Sequence, residues 1–383
     1  MGIETITRRQ LLAMAYVSLL SPAIRVIPRL SAALGGKVVW LSPLAAILAA
    51  AGIGFVLNRS MTVPGAQRGL AELITDTLGP VFGRVLLGLY GLWFALYAGF
   101  LLRTAAERLI SAVYSQGHLP VFLGLMLLVT LVAACGKMGA LGRTAEVFVP
   151  VIVLILAVIL IAALPSIEKD YLLPVLPADL PQIFLGALPM ADVMGVMIPF
   201  AFFADRCKKD ADRASVPAWM ALTVGSLAVL TVPVIGCLSA AVTQRQQNTF
   251  FVMLHNIVLF DSVERIEPMV IGLWIITDFV YMAALLMLSG HLSTKIVPIR
   301  RRNVFVLPAA VLALVTAIFC DRLVFDMHTL SDLVVPVTSS TLSILIPAFI
   351  LAAAALKKAG QKRAERRKIQ DFGAEGAGQS RDI

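Results

Sequence analysis

Charge is what this chain has least of. Only 14% of its 383 residues are Asp, Glu, Lys or Arg, against 59% hydrophobic, and the mean hydropathy is +0.89. So little charge cannot cover the surface of a water-soluble domain of this length, and so much apolar residue rules out a disordered chain. Cysteine is scarce too. Cys135, Cys207, Cys237 and Cys320 are scattered over separate segments without CxxC spacing, so they read as free thiols and not as a metal site. The four histidines, His118, His255, His291 and His328, fall at segment ends or in loops with no acid or cysteine at ligand spacing, and read as surface residues. Walker loops, dinucleotide fingerprints, nucleophile elbows and zinc motifs are all missing, which leaves an enzyme reading without residues and calls for no cofactor. The net charge of +9 has no soluble domain to carry it, which argues against nucleic-acid binding.

What is present is a series of apolar runs long enough to cross about 30 Å of hydrocarbon. They fall near 10–34, 40–57, 84–114, 119–135, 145–164, 186–204, 215–242, 266–290, 303–319 and 333–356. The expectation is an all-α polytopic membrane protein of about ten helices. Lys and Arg concentrate on one side of this topology, in Arg8, Arg9, Arg59, Arg68, Arg84, Lys137, Arg143, Arg206, Lys208, Lys209, Arg213, Lys295, Arg300, Arg301 and Arg302. By the positive-inside rule that side, with both termini, is cytoplasmic. Residues 8–23 mimic a secretory leader, but the apolar pattern resumes beyond them, so they read as part of the first span. Residues 1–356 form one transmembrane domain. The tail, 357–383, is basic, suited to anionic lipid and expected to be disordered.

Two spans are interrupted. In the first, Ser21, Pro22, Ala23, Ile24, Arg25, Val26, Ile27 and Pro28 put two prolines and an arginine at mid-membrane, and predict two half-helices joined by unwound chain. The sixth carries Pro189, Met190, Ala191, Asp192 and Gly195, followed by Pro199. Backbone groups freed at such breaks must line a cavity or a site. Each broken span opens a five-span block, 10–164 and 186–356. Five is odd, so the second block enters the membrane from the opposite side, the logic of a five-plus-five inverted repeat.

Ser21, Ala23, Ile24, Arg25, Val26, Met190, Ala191, Asp192 and Gly195 are therefore the candidate ligand-binding residues, with Tyr97 beside them. Arg25 has two readings: it receives a ligand carboxylate, or it is neutralised internally by Asp192 or Asp278. Asp192 either meets a ligand amine, carries a coupling proton, or partners Arg25. Asp278, on the eighth span, is a buried acid that needs a partner or a proton. Arg103 and Glu107 stand four residues apart on the third span, at pairing distance on a helix, and read as a structural ion pair before a proton path. Tyr90 and Tyr97, two turns apart, read more readily as core packing. Short helices are expected around Leu70 to Leu78, at Leu180 to Leu185, and over Phe250, Phe251, Leu254 and Ile257; the stretch from Asp205 to Arg213 reads as a solvated loop.

Several stretches in order resemble the endospore germination permeases, the GerAB-type B subunits of germinant receptors. They are Ile6-Thr7-Arg8-Arg9-Gln10, Pro28, Gly36-Lys37-Val38-Val39-Trp40-Leu41-Ser42, Leu78-Gly79, Gly142-Arg143-Thr144-Ala145-Glu146, Leu173-Pro174-Val175-Leu176, Asp192 with Pro199, and Glu264-Arg265-Ile266-Glu267 with Trp274. The resemblance implies the fold of the amino acid, polyamine and organocation (APC) transporter superfamily, the LeuT type with helices 1 and 6 broken. It implies an amino-acid-like ligand at those breaks, a bilayer or spore inner-membrane location, and company in the form of germinant receptor A and C subunits. The chain departs from the pattern where Ser21-Pro22-Ala23-Ile24-Arg25 replaces a glycine-rich break and Asp192 stands where glutamate is common. A receptor subunit signalling through partners is the leading expectation. A proton-coupled amino acid transporter and a ligand-gated ion or water pathway are the alternatives.

Overall fold

The computed structural model describes residues 4–61, 69–112, 117–208, 215–246, 248–255, 267–297, 299, 301–320 and 330–357. Helix follows helix: α1 (Arg8–Gly35), α2 (Ser42–Met61), α3 (Leu70–Leu78), α4 (Pro80–Ala112), α5 (Leu119–Cys135), α6 (Met138–Ala163), α7 (Lys169–Leu172), α8 (Leu180–Gly195), α9 (Val216–Thr243), α10 (Thr249–His255), α11 (Glu267–Ile296) and α12 (Asn303–Phe319). A last run, α13 (Val335–Lys357), contains a π turn at Thr341–Leu345. Among the described residues there is no strand, only a bridge between Ile6 and Cys207.

Among the described residues, each apolar stretch of the sequence coincides for most of its length with one of these helical runs. Seven runs are long and apolar enough to cross a bilayer, the first of them, Arg8–Met61, holding both α1 and α2. The helices Leu119–Cys135 and Asn303–Phe319 are apolar but shorter, with 17 residues each. That is the lower bound for a span.

The helix at the centre of the bundle is α1. Its start is fixed by a reciprocal cap: Gln10 N–H donates to Thr7 Oγ1 and Thr7 N–H to Gln10 Oε1, both at 3.1 Å. Residues Leu11 through Ile24 are all buried, so α1 is packed around its whole circumference, as a core helix must be. It turns at Gly36, whose φ of 54° favours glycine. Around α1 lie α6, α8, α9 and α11. At the far end of α1, Gly35 and Gly186 of α8 cross so closely that a Cβ on Gly186 would stand 2.5 Å from Ser42 Oγ and 3.3 Å from Gly35 Cα. A second layer, α4 with α11 and α12, is locked by Gly99, where a Cβ would meet Ala313 O at 2.4 Å.

One expectation fails here. α1 is helical without interruption through Ser21, Pro22, Arg25 and Pro28. Pro22 and Pro28 remove two helix hydrogen bonds, but no glycine lies between Ser21 and Pro28, and Ile24, Val26 and Ile27 are stiff β-branched residues buried in an apolar core. Unwinding would strand further backbone groups with no water to receive them, so the chain stays helical around the prolines.

The interruption on the other side is present and lies later than the sequence suggests. Pro189 to Gly195 remains α-helical, and the helix gives way at Val196 and Met197 to a nine-residue 3₁₀ segment, Ile198–Arg206. Runs of 3₁₀ beyond three or four residues are uncommon and mark hinges or strain. The short helix expected at 180–185 is the first turn and a half of α8 itself. The small helices α3 and α10 lie where periodicity places them, with Leu70, Ile74, Phe250 and Leu254 buried. Ile257, His328, the Glu264-Arg265-Ile266 stretch and the tail from 358 lie outside the described residues.

Candidate functional site

Polar side chains in a bundle core must be grouped, because each needs a partner that lipid and aliphatic neighbours cannot provide. Three helix faces converge in the interior of the bundle. On α1, Ser18, Ser21 and Arg25 recur at spacings of three and four, one face. Tyr97, Phe100, Thr104 and Arg108 do the same on α4, and Trp274, Asp278 and Tyr281 on α11.

Asp278 joins the three. Its Oδ2 accepts from Arg108 Nη2 at 2.6 Å and its Oδ1 accepts from Ser21 Oγ. Both members of the ion pair are buried, with side chains 8% and 3% exposed. Arg108 also lies over the Trp274 ring, 5.5 Å from its centroid. The sequence marked Asp278 as an acid needing a partner or a proton, with Arg25 one possible partner; the packing of α4 on α11 supplies Arg108. Nε and Nη1 of Arg108 and Nε1 of Trp274 are buried without a hydrogen-bond partner among the described residues. They border a void of about 10 Å³ lined also by Ala105, Met126 and Ile275, room for one water.

Arg25 places its guanidinium 5.1 Å from the centre of the Phe100 ring. Asp192, at the last turn of α8, accepts from Ser340 Oγ of α13. Asp278 is thus paired with Arg108, and Asp192 is hydrogen-bonded to Ser340. Between the two acids and the arginine stands a tyrosine pair. Tyr97 and Tyr281 are hydrogen-bonded through their hydroxyls with ring centroids 5.7 Å apart, and Tyr97 is within electrostatic reach of Arg25, Asp192 and Asp278. Tyr97 is further stacked on Trp93 and Phe100. Tyr90 donates to Leu342 O at 2.6 Å and serves packing.

The remaining expected contacts divide. Ala23, Ile24, Val26 and Met190 are buried within the apolar core. A Cβ on Gly195 would meet Ile344 Cγ1 at 2.7 Å, so that glycine seats α13 against the α8 break. Ala191 is half-buried beside Asp192. Arg103 pairs with Glu107 one turn on and donates to Ala317 O of α12 at 3.3 Å.

A second charged cluster, near the ends of α11 and the 3₁₀ segment, overturns two sequence readings. His291 is buried, not a surface residue, and its Nε2 lies 3.3 Å from Asp205 Oδ1. Asp205 is itself buried in the last turn of the 3₁₀ segment, at the start of the expected solvated loop, of which residues 209–213 lie outside the described residues. Lys295 Nζ reaches Asp205 Oδ2 at 2.8 Å and also pairs with Glu72 of α3, whose Oε2 accepts from Gly69 N–H at 2.9 Å. The cluster ties α3, α11 and the end of the broken helix together. The same end is held to the N-terminus, since Ile6 N–H donates to Arg206 O and Lys208 N–H to Ile6 O, both at 3.0 Å.

A bundle of apolar helices around one central helix, with a broken partner helix and a buried polar cluster beside them, is the architecture of a polytopic permease. Among solved structures it is similar to MHP1, a nucleobase-cation-symport-1 family transporter in a closed conformation with bromovinylhydantoin bound, with a TM-score of 0.54, 13% identity, and 88% of this chain and 76% of that one covered. At that identity the likeness is one of fold. The family model described as "Spore germination protein" matches residues 5–322, and the chain belongs to that family of spore germination permeases. No curated protein matches it.

Proposed function

We propose that the chain is a germinant-receptor subunit that binds a small amino-acid-like nutrient between the middle of α1 and the α8 break, and passes the bound state to A and C partner subunits. The observation that carries this reading is the charge arrangement: a cation, Arg25, and an anion, Asp192, face one core region around the Tyr97–Tyr281 pair. An amino acid presents the complementary carboxylate and ammonium. The fold likeness to a transporter solved with a small heterocycle supports a ligand site inside such a bundle. Ligand would shift an equilibrium between packings of α8 and α13 by its differential affinity for them. We further read ten spans with both termini cytoplasmic, residues 1–356 as one domain, and no catalytic step.

A second reading, proton-coupled uptake, is favoured by the fold of the transporter relative. One experiment separates the two: labelled amino acids offered to proteoliposomes under an imposed pH gradient, with Arg25→Ala and Asp192→Asn alongside. Saturable binding without accumulation, weakened at least tenfold in both variants, supports the receptor. Accumulation that collapses with the gradient overturns it in favour of a carrier, and binding unaffected by either substitution removes the site from this place.

A further inference from the structure

On the outer surface of the bundle, α2 and α9 part to leave a groove of about 660 Å³. Its lining is almost wholly apolar. Ala50, Gly54 and Met220 form the floor, Phe55 and Ala221 the open edges, and among the described residues Asn58 is the one polar lining residue, at one end. Along α2 the groove runs from Ile47 to Asn58, eleven residues of rise, or about 16 Å. That is half of a hydrocarbon core of about 30 Å, the depth of one leaflet. Charge marks the same end. Arg8 Nη2 donates to Asn58 Oδ1 at 2.5 Å, and Arg59 follows on the exposed surface of α2.

We propose that this groove is a phospholipid site: it takes one acyl chain of the leaflet on the N-terminal side, and Arg8 and Arg59 hold an anionic headgroup at its mouth. Length decides against a docked partner helix, which would need contact over the full membrane thickness, whereas the groove ends at mid-depth. Charge selects among lipids. Two arginines at a surface favour an anionic over a zwitterionic headgroup, by about fivefold for each. The two walls of the groove pack on the centre of the bundle, α2 on α8 and α9 on α1, so its occupant bears on the packing of the bundle.

The test uses the full chain in detergent, with native mass spectrometry and thermal unfolding after addition of phosphatidylglycerol or phosphatidylcholine of equal chain length. We expect one phosphatidylglycerol retained at least tenfold more tightly than phosphatidylcholine, with matching thermal protection. Arg59→Glu should abolish the headgroup preference while leaving weak acyl-chain binding. Ala221→Phe, which fills the groove, should lose both, and Ala51→Phe fills it from the facing helix if the first variant does not fold. Equal retention of the two lipids, or preference unchanged in Arg59→Glu, would overturn the proposal. So would efficient crosslinking between copies through Phe55→Cys, which would make the groove a protein interface.

Discussion

Removing Asp278 tests whether the buried ion pair is the fastening of α1 to α4 and α11. At 2.6 Å the attraction between the Arg108 and Asp278 charges is about 6 kcal/mol for an effective dielectric of about 20. Burial of both ions offsets most of that, so the intact pair is close to neutral against an apolar replacement. The cost of breaking it is another quantity. Asp278→Ala leaves a guanidinium that cannot lose its proton, in a core where Nε and Nη1 already have no partner among the described residues, and it takes the acceptor from Ser21. About 3 to 5 kcal/mol is expected for the stranded charge, and about 1 more for the hydroxyl. Arg108→Met should cost less, because Ser21 keeps its acceptor and the methionine fills the vacated apolar space. The double variant, Arg108→Met with Asp278→Leu, should recover most of the stability. The assay is unfolding of the purified protein in mixed detergent, followed by tryptophan fluorescence, since Trp274 lies against Arg108. A loss under about 1 kcal/mol for Asp278→Ala, or strict additivity of the two single effects in the double variant, would refute the reasoning.

Asp205→Ala should destabilise by about 3 kcal/mol, because His291 and Lys295 lose their shared acceptor, and hydrogen exchange should rise selectively across Leu70–Leu78, which Lys295 holds through Glu72. Gly99→Ala forces a methyl against Ala313 O and should cost about 1 to 3 kcal/mol and spread α4 from α12, read as lowered thermal stability and new accessibility of a cysteine at Thr316. Arg302 donates to the Ala134 and Gly136 carbonyls at the end of α5, so Arg302→Met should cost about 1 to 2 kcal/mol, measured by the same unfolding assay. Burial pushes the Cys207 thiol up from 9.0 to about 12, so its thiolate fraction at pH 8 is about a thousandfold below that of the denatured chain. Maleimide should label native Cys207 correspondingly slowly, the rate rising tenfold per pH unit and still rising above pH 9, where labelling of the denatured chain levels off; equal rates at pH 8 would sink the placement.

How much could be read in advance depended on whether a feature was local. Apolar runs, the amphipathic α3, and the four-residue pairing of Arg103 with Glu107 are written in neighbouring residues, and each appears in the structure. Asp278 was legible as an acid in need of a partner. Its partner was not, since Arg108 stands 170 residues away and only the rotation of α4 against α11 selects it over Arg25. His291 was misjudged because its span was drawn to end at 290, whereas α11 continues to Ile296. The pattern of His291 with Lys295 one turn on, set against Asp205 before Arg206, was the available signal. Pro22 and Pro28 were overread, since two prolines weaken a helix but do not unwind it where the flanking residues are stiff and buried.

That asymmetry between the two opening helices bears on mechanism. An unwound α1 would offer its own carbonyls and amides to a ligand; an intact α1 offers only the face of Ser18, Ser21 and Arg25. On the proposed reading, the half of the site free to rearrange is α8, whose helix gives way two residues before the 3₁₀ segment Ile198–Arg206. A ligand bridging Arg25 and Asp192 would pull on that segment from one end. The charged cluster of Asp205, His291, Lys295 and Glu72 holds it at the other, together with the Ile6–Cys207 bridge to the N-terminus. Such a segment, anchored by polar contacts at both ends, has two ways to relax, toward ligand or toward the cluster. Weakening the cluster by Lys295→Met should therefore tighten ligand binding without touching the ligand, by up to the free energy the cluster holds in reserve, about 1 to 3 kcal/mol or 5- to 150-fold. Isothermal titration of the variant against the native protein reads this directly, and unchanged affinity with an intact fold would separate the two ends and end the argument.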